Sequence, residues 1–160
     1  MRFSDNFGPA DAIAVEHRCA LYNELITYGE LDRVSDRLAH ILRVLPTPIV
    51  PGTRVCILAR RSVALVAAIL AALKAGAQYV PLDAQTIAHE MLEFVIRDAN
   101  PSVVLSMAEY LQRVPTGQVP VLNIESEMER AAAEQPEGGK VEDLSSPADG
   151  AYCIYTSGTT

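Results

Sequence analysis

Lysine is scarce in this chain: Lys74 and Lys140 are the only two among 160 residues, and 13 Lys plus Arg face 20 Asp plus Glu, a net charge of −7. A nucleic-acid surface needs clustered cations, so no nucleic-acid partner is expected. Cysteine is scarce as well. Cys19, Cys56 and Cys153 are widely spaced, make no CxxC or Cys/His ligand spacing and are odd in number, which fits reduced thiols and a cytoplasmic setting better than a disulfide framework. Cys153 stands on an apolar run with no His or Lys beside it, so it reads as a packing residue and a cysteine enzyme is excluded. His17, His40 and His89 are far apart and mark no base or metal-ligand set; solvated histidines are the default. The longest strictly apolar run, Val63–Leu73, has eleven residues, whereas a membrane-spanning helix needs about 20. It is expected to be a buried helix, with no membrane partner. The opening residues carry Asp5 and Asp11 and no basic stretch before an apolar block, so they do not resemble a secretory leader. There is no repeat of solenoid length and no Walker lysine pattern.

What is present is ordinary globular composition, 49% apolar and 21% charged, at a length that suits about one domain. Helical and strand patterns alternate. After Thr27, Leu31, Val34, Leu38, Ile41 and Leu42 recur at helical spacing, and Thr27 with Glu30 forms a capping box. Prolines 46, 48 and 51 end this helix. Arg54–Ala59 reads as a strand covered on both faces. Ser62–Ala75 reads as an almost wholly apolar helix stopped by Gly76. Gln78–Pro81 reads as a strand, Ala88–Ala99 as a helix and Ser102–Ser106 as a third strand. This βαβαβ rhythm predicts an α/β fold with a mostly parallel sheet and helices on both faces. Farther on, Ala108–Arg113 suits a brief helix and Val119–Asn123 a strand end or edge, given Pro120. Glu125–Pro147 reads as a loop or short helix followed by a linker, and Ala151–Thr156 as a last β-rich run opening into Ser157-Gly158-Thr159-Thr160.

Only that last segment has residue types that suggest ligand chemistry. Ser, Thr and Gly after a buried strand can turn backbone N–H groups and hydroxyls toward a phosphate. The same residues also suit a plain polar chain end, and residue types alone leave both readings open. ITYGEL (Ile26–Leu31) is explained as a helix start, and LKAGAQYVPLD (Leu73–Asp83) as a helix stop and a strand. Within the latter only Asp83 is free for a polar task.

Taken together and in order, ITYGEL, LKAGAQYVPLD and YTSGTT resemble the opening core motifs of the AMP-forming adenylate synthetases, most of all the adenylation domains of nonribosomal peptide synthetases. AIAVEH, EMLEFVIRDANPSVVLS and PADGAYCIYTSGTT add to the likeness, which covers nearly the whole chain. The resemblance implies that residues 1–160 are the N-terminal part of an adenylation domain, within its N-terminal subdomain. It implies a parent enzyme that uses ATP and Mg2+ to convert an amino or other carboxylic acid to an acyl-adenylate. The acyl group would then pass to a phosphopantetheine thiol on a carrier-protein domain. Thr156, Ser157, Gly158, Thr159 and Thr160 would be phosphate contacts in this picture, with no catalytic residue and no metal ligand among residues 1–160 and no activity in this segment by itself. The family loop continues with a glycine and a lysine that would lie past Thr160, and Ala84-Gln85-Thr86-Ile87 stands where the family commonly shows prolines. Two alternatives stay open: part of an acyl-CoA synthetase or adenylating reductase, or a non-catalytic α/β interaction module. LKAGAQYVPLD leans toward the peptide synthetases.

Overall fold

The computed structural model describes residues 8–19, 23–47, 49–115, 117, 119–133 and 146–156. Two strands come first, β1 (Ile13–Arg18) and β2 (Asn23–Thr27), paired antiparallel. The sequence pattern predicts no strands here. Of the side chains involved only Ile26 is buried, and in β2 polar Glu24 lies on the same side as Ile26 while apolar Leu25 is exposed, so the residue types do not alternate as those of a half-buried strand do.

Thr27 then starts α1 (Tyr28–Arg43) through the expected capping box. The Glu30 N–H donates to Thr27 Oγ1 at 3.3 Å, while the Thr27 N–H and hydroxyl donate to Glu30 Oε2 at 3.0 and 2.8 Å. These bonds, the backbone one foremost, hold the Glu30 carboxyl below its ordinary range. The sign follows: the carboxylate's contribution is present above the ordinary Glu pKa and is lost as pH falls through the lowered one. Thr27→Ala removes both side-chain bonds and is expected to destabilise the fold by about 1 kcal/mol at neutral pH, read from denaturant midpoints at constant slope. Thr27→Ser should retain most of it.

Four strands form the main sheet: β3 (Arg54–Ala59), β4 (Gln78–Asp83), β5 (Val103–Ser106) and β6 (Val121–Asn123). Their order is β4-β3-β5-β6 and every pairing is parallel. Between them run α2 (Val63–Lys74), α3 (His89–Ala99) and a short 3-10 helix (Ala108–Arg113), and α4 (Ile124–Ala133) follows β6. Because strand side chains alternate, β3 feeds two cores. Val55, Ile57 and Ala59 join Val103 and Leu105 under Leu38, Leu42, Ala67, Ala71 and Ile124, from α1, α2 and α4. Cys56 and Leu58 join Val80, Leu82 and Val104 under Leu92, Val95 and Ile96 of α3. Helices thus cover both faces, as the βαβαβ rhythm predicted.

The apolar helix α2 lies against the sheet and under α1, and its fully buried Ala67, Ala68, Ala71 and Ala72 leave room for neighbours on both sides. Ser62 caps it by accepting the Leu65 N–H at 3.1 Å, and Gly76, at φ 87°, turns the chain out of it. Asn100, at φ 45°, ends α3 in the same left-handed way just before Pro101. Of the loop or short helix expected from Glu125, the structure shows the helix, α4; residues 134–145 lie outside the described residues.

Two sequence expectations at the sheet edge need correction together. The strand expected at Gln78–Pro81 continues to Asp83, and the strand expected at Ala151–Thr156 is a single parallel bridge, Tyr79 to Tyr152. Pro81 explains both. The Tyr79 N–H points away from β3 and donates to the Ala151 carbonyl at 3.1 Å, and the Cys153 N–H donates back to the Tyr79 carbonyl at 3.0 Å. Two residues on, the missing N–H of Pro81 also falls on the outer side. It therefore takes nothing from the β3–β4 ladder, but the next bond to the outer segment, from residue 81 to the Cys153 carbonyl, cannot form.

Candidate functional site

In an open parallel sheet, ligands bind where the carboxyl ends of the strands come together. Here those ends are largely committed to holding the fold. Past β3, the N-terminus of α2 would be the obvious anion site, since its first N–H groups lack helical partners. Glu24 of β2 fills it. Its Oε2 accepts the Val63 N–H at 3.0 Å, lies 3.6 Å from His17 Nδ1, and its Oε1 lies 3.8 Å from an Arg60 guanidinium nitrogen. Arg60 also donates to Glu109 at 2.9 Å. His17 is therefore part of a carboxylate-centred junction rather than a solvated default, whereas His89 is exposed beside Glu93, and His40 is exposed.

Past β4, the polar task of Asp83 is to build a turn. Its Oδ1 accepts the Gln85 N–H at 3.0 Å and its carbonyl accepts those of Thr86 and Ile87. Arg113 reaches over from the 3-10 helix and donates to the Ala84 and Ile87 carbonyls, fixing the Ala84-Gln85-Thr86-Ile87 stretch without the family's prolines. Past β5, Ser106 Oγ donates to the Met107 carbonyl at 3.1 Å. Past β6, Asn123 Oδ1 accepts the N–H groups of Glu125 and Ser126 and so caps α4.

What remains is the segment outside β4. Gly150 begins it under a close approach: a Cβ there would stand 2.4 Å from Gln78 Nε2. Pairing in parallel with β4, the chain at Tyr152 runs toward the carboxyl edge. Tyr152 and Ile154 are exposed, the former with its ring 5.7 Å from that of Tyr79. Cys153 and Tyr155 turn the other way and pack on the α3-side core. The Tyr155 hydroxyl donates to the Asp98 carboxylate at 2.5 Å, and its ring meets Phe94 edge-on at 6.3 Å. Burial first, then the Asp98 bond, pushes the Tyr155 phenol up to about 12. It stays protonated, and a donor, through any ordinary assay pH. Thr156 follows, exposed; Ser157, Gly158, Thr159 and Thr160 lie outside the described residues.

The other sequence motifs sit where their structural readings place them. Gly29 donates its N–H to the Ala10 carbonyl at 2.8 Å, and a Cβ there would press on that oxygen at 3.0 Å. Lys74 lies between helices, 3.2 Å from Asp32 Oδ1 and 2.8 Å from both Asp36 Oδ1 and Ser35 Oγ. Arg43 donates to the Lys74 carbonyl at 2.8 Å, closing the end of α2 on α1. Cys56 is buried, and that burial pushes its thiol up to about 12, so it is no nucleophile at neutral pH. Cys153 is half-buried rather than fully so. Among the described residues no three His, Cys, Asp or Glu side chains gather to hold a metal, and no helix is long and apolar enough to cross a membrane.

The roles of Glu24, Arg113, Asp98 and Tyr155 were not anticipated from the sequence. Only Tyr155 had a signal, its place directly before Thr156.

Known proteins are similar to this chain in sequence and in fold. An adenylate-forming reductase of Coprinopsis cinerea is 37% identical over 136 residues, 84% of this chain and 13% of its own length. A linear gramicidin synthase of Brevibacillus parabrevis is 35% identical over 138 residues, 86% of this chain and 3% of its own. The crystal structure of the nonribosomal peptide synthetase FmoA3 in its AMPPNP-bound form superimposes with a TM-score of 0.70 at 27% identity, covering 84% of this chain and 14% of that one. The chain thus spans a small part of the length of the relatives it matches. The fold is that of the N-terminal subdomain of adenylate-forming enzymes. The AMP-binding enzyme family matches residues 6–160, and the chain belongs to that family.

Proposed function

We propose that residues 1–160 are the N-terminal part of an adenylation domain whose full-length protein activates an amino acid or other carboxylic acid with ATP and Mg2+. A carboxylate oxygen attacks the α-phosphorus, the bond to pyrophosphate breaks, and the acyl-adenylate forms. A phosphopantetheine thiol on a carrier-protein domain then attacks the acyl carbon and AMP leaves. Thr156, Ser157, Gly158, Thr159 and Thr160 contact the ATP phosphates, and the remaining residues shape the subdomain that carries them.

The observation that carries this reading is the course of the outer segment. Ala151–Cys153 run beside β4 in the direction of the carboxyl edge, where open sheets bind ligands, and lead the chain toward Thr156, while the other strand ends are engaged in turns, caps and ion pairs. The buried thiol of Cys56 and the half-buried one of Cys153, neither in a disulfide, support a reducing, cytoplasmic setting. The reductase relative supports a second reading in which the same adenylation is followed by reduction of the bound acyl group.

The test is carboxylate-dependent exchange of pyrophosphate into ATP by the full-length protein, across amino acids and other carboxylic acids. Exchange with a restricted set is expected. Its absence across the panel in a folded full-length protein would refute the reading. Residues 1–160 alone are expected to show no exchange. Stabilising charge on transferring phosphate oxygens takes Arg, Lys or Mg2+ at the reacting atoms, and Lys74 is committed to Asp32 and Asp36.

A further inference from the structure

We propose that Tyr155 is the positioning residue of the phosphate loop, tying the base of the loop to α3 through the Asp98 carboxylate; this rests on the reading of Thr156–Thr160 as phosphate contacts. The backbone cannot do this work. Pro81 ends the ladder between β4 and the outer segment after Cys153, so from Ile154 onward the segment has no main-chain partner on β4 among the described residues. Ile154 offers little, being exposed. The tether comes instead from one side chain. Tyr155 inserts beside the α3-side core, sets its ring edge-on to Phe94 at 6.3 Å, and donates its hydroxyl to Asp98 at 2.5 Å.

Residue 155 is one peptide unit before Thr156, so an error in its placement passes directly to the donors that follow. A loop that binds phosphate through backbone N–H groups and hydroxyls depends on having those donors pre-aimed, and a displacement of the order of 1 Å weakens every bond at once. Phe94 and Asp98 stand four residues apart on one helix, so they present ring and carboxylate on a common face. The pair thus fixes both the depth and the rotation of Tyr155.

The experiment uses the full-length protein in pyrophosphate exchange with its best acid, and reads KM and kcat for MgATP in four variants. Tyr155→Phe keeps the ring contact and loses the bond; Asp98→Ala loses the acceptor; Asp98→Asn keeps one; the fourth is the double variant Tyr155→Phe/Asp98→Ala. Tyr155→Phe and Asp98→Ala are each expected to raise the KM for MgATP about 3- to 10-fold, the worth of one partly exposed charge-assisted hydrogen bond. kcat and the KM for the carboxylic acid should stay within about twofold, since neither residue meets the acid. Asp98→Asn should stay near wild type, and the double variant should be no worse than Tyr155→Phe, because both substitutions delete the same bond.

An unchanged KM for MgATP in Tyr155→Phe would overturn the proposal. So would a parallel rise in the KM for both substrates together with a lowered melting temperature, which would mark a merely structural role. Thr159→Val/Thr160→Val in the same assay separates the two levels. If it raises the KM for MgATP while Tyr155→Phe does not, the anchor is refuted and the loop reading stands; if neither does, the loop reading falls as well.

Discussion

Lys74→Met is expected to destabilise the fold by about 3–5 kcal/mol, enough to leave much of a marginal domain unfolded at 37 °C. The ammonium lies between helices with 15% of its side chain exposed, 3.2 Å from an Asp32 carboxylate that is itself only 8% exposed, and it also serves Asp36, Ser35 and the Asp32 carbonyl. Methionine fills similar volume but removes the ammonium 3.2 Å from the Asp32 carboxylate, in a site with little water to replace it. The comparison that isolates the charge is Lys74→Met/Asp32→Leu, which should recover a substantial part of the loss because the pair is removed together. Chemical denaturation of the single and double variants measures it. A loss below about 1 kcal/mol for Lys74→Met would show that the cluster is solvated in practice.

Lys74 also shows what the sequence made readable. Its place in the last turn of α2 followed from periodicity and from Gly76, and the elements from α1 to β5 were legible for the same reason: strong apolar periods bounded by Thr27, Ser62, Gly76 and Asn100-Pro101. That Lys74 faces two aspartates of α1 was not legible, because the partners come from a different helix and each charged residue alone defaults to solvent. The same holds for Tyr155 with Asp98, 57 positions apart, for Glu24 capping α2 from 39 positions away, and for Arg113 holding the Ala84 carbonyl from 29. The last strand failed for another non-local cause. Ala151–Thr156 has strand composition, yet its pairing is decided by Pro81 on the neighbour. In the candidate site, the residue types of YTSGTT suggested ligand chemistry beside a plain chain end, and the resemblance is what points them to phosphate. The tether on α3 came only from the structure.

Thr159→Val and Thr160→Val, made in the full-length protein, remove two hydroxyls at nearly constant volume and leave the backbone N–H groups in place. If both hydroxyls donate to charged phosphate oxygens, each loss is worth roughly 1.5–3 kcal/mol, or about 10- to 150-fold in kcat/KM for ATP. The effects should fall on ATP and spare the binding of the carboxylic acid if, as proposed, the loop meets the nucleotide and not the acyl side chain. The two sites are adjacent, so the double variant need not show the product of the single effects.

That the segment led along the edge of β4 into Thr156–Thr160 is the phosphate loop of an adenylate-forming enzyme is tested most directly by one quantity. It is kcat/KM for MgATP in carboxylate-dependent pyrophosphate exchange, wild type against Thr159→Val/Thr160→Val, with the fold of the variant verified by its melting temperature. The expected result is a fall of at least about tenfold with the KM for the acid unchanged. An unchanged kcat/KM for MgATP in a well-folded double variant would contradict it.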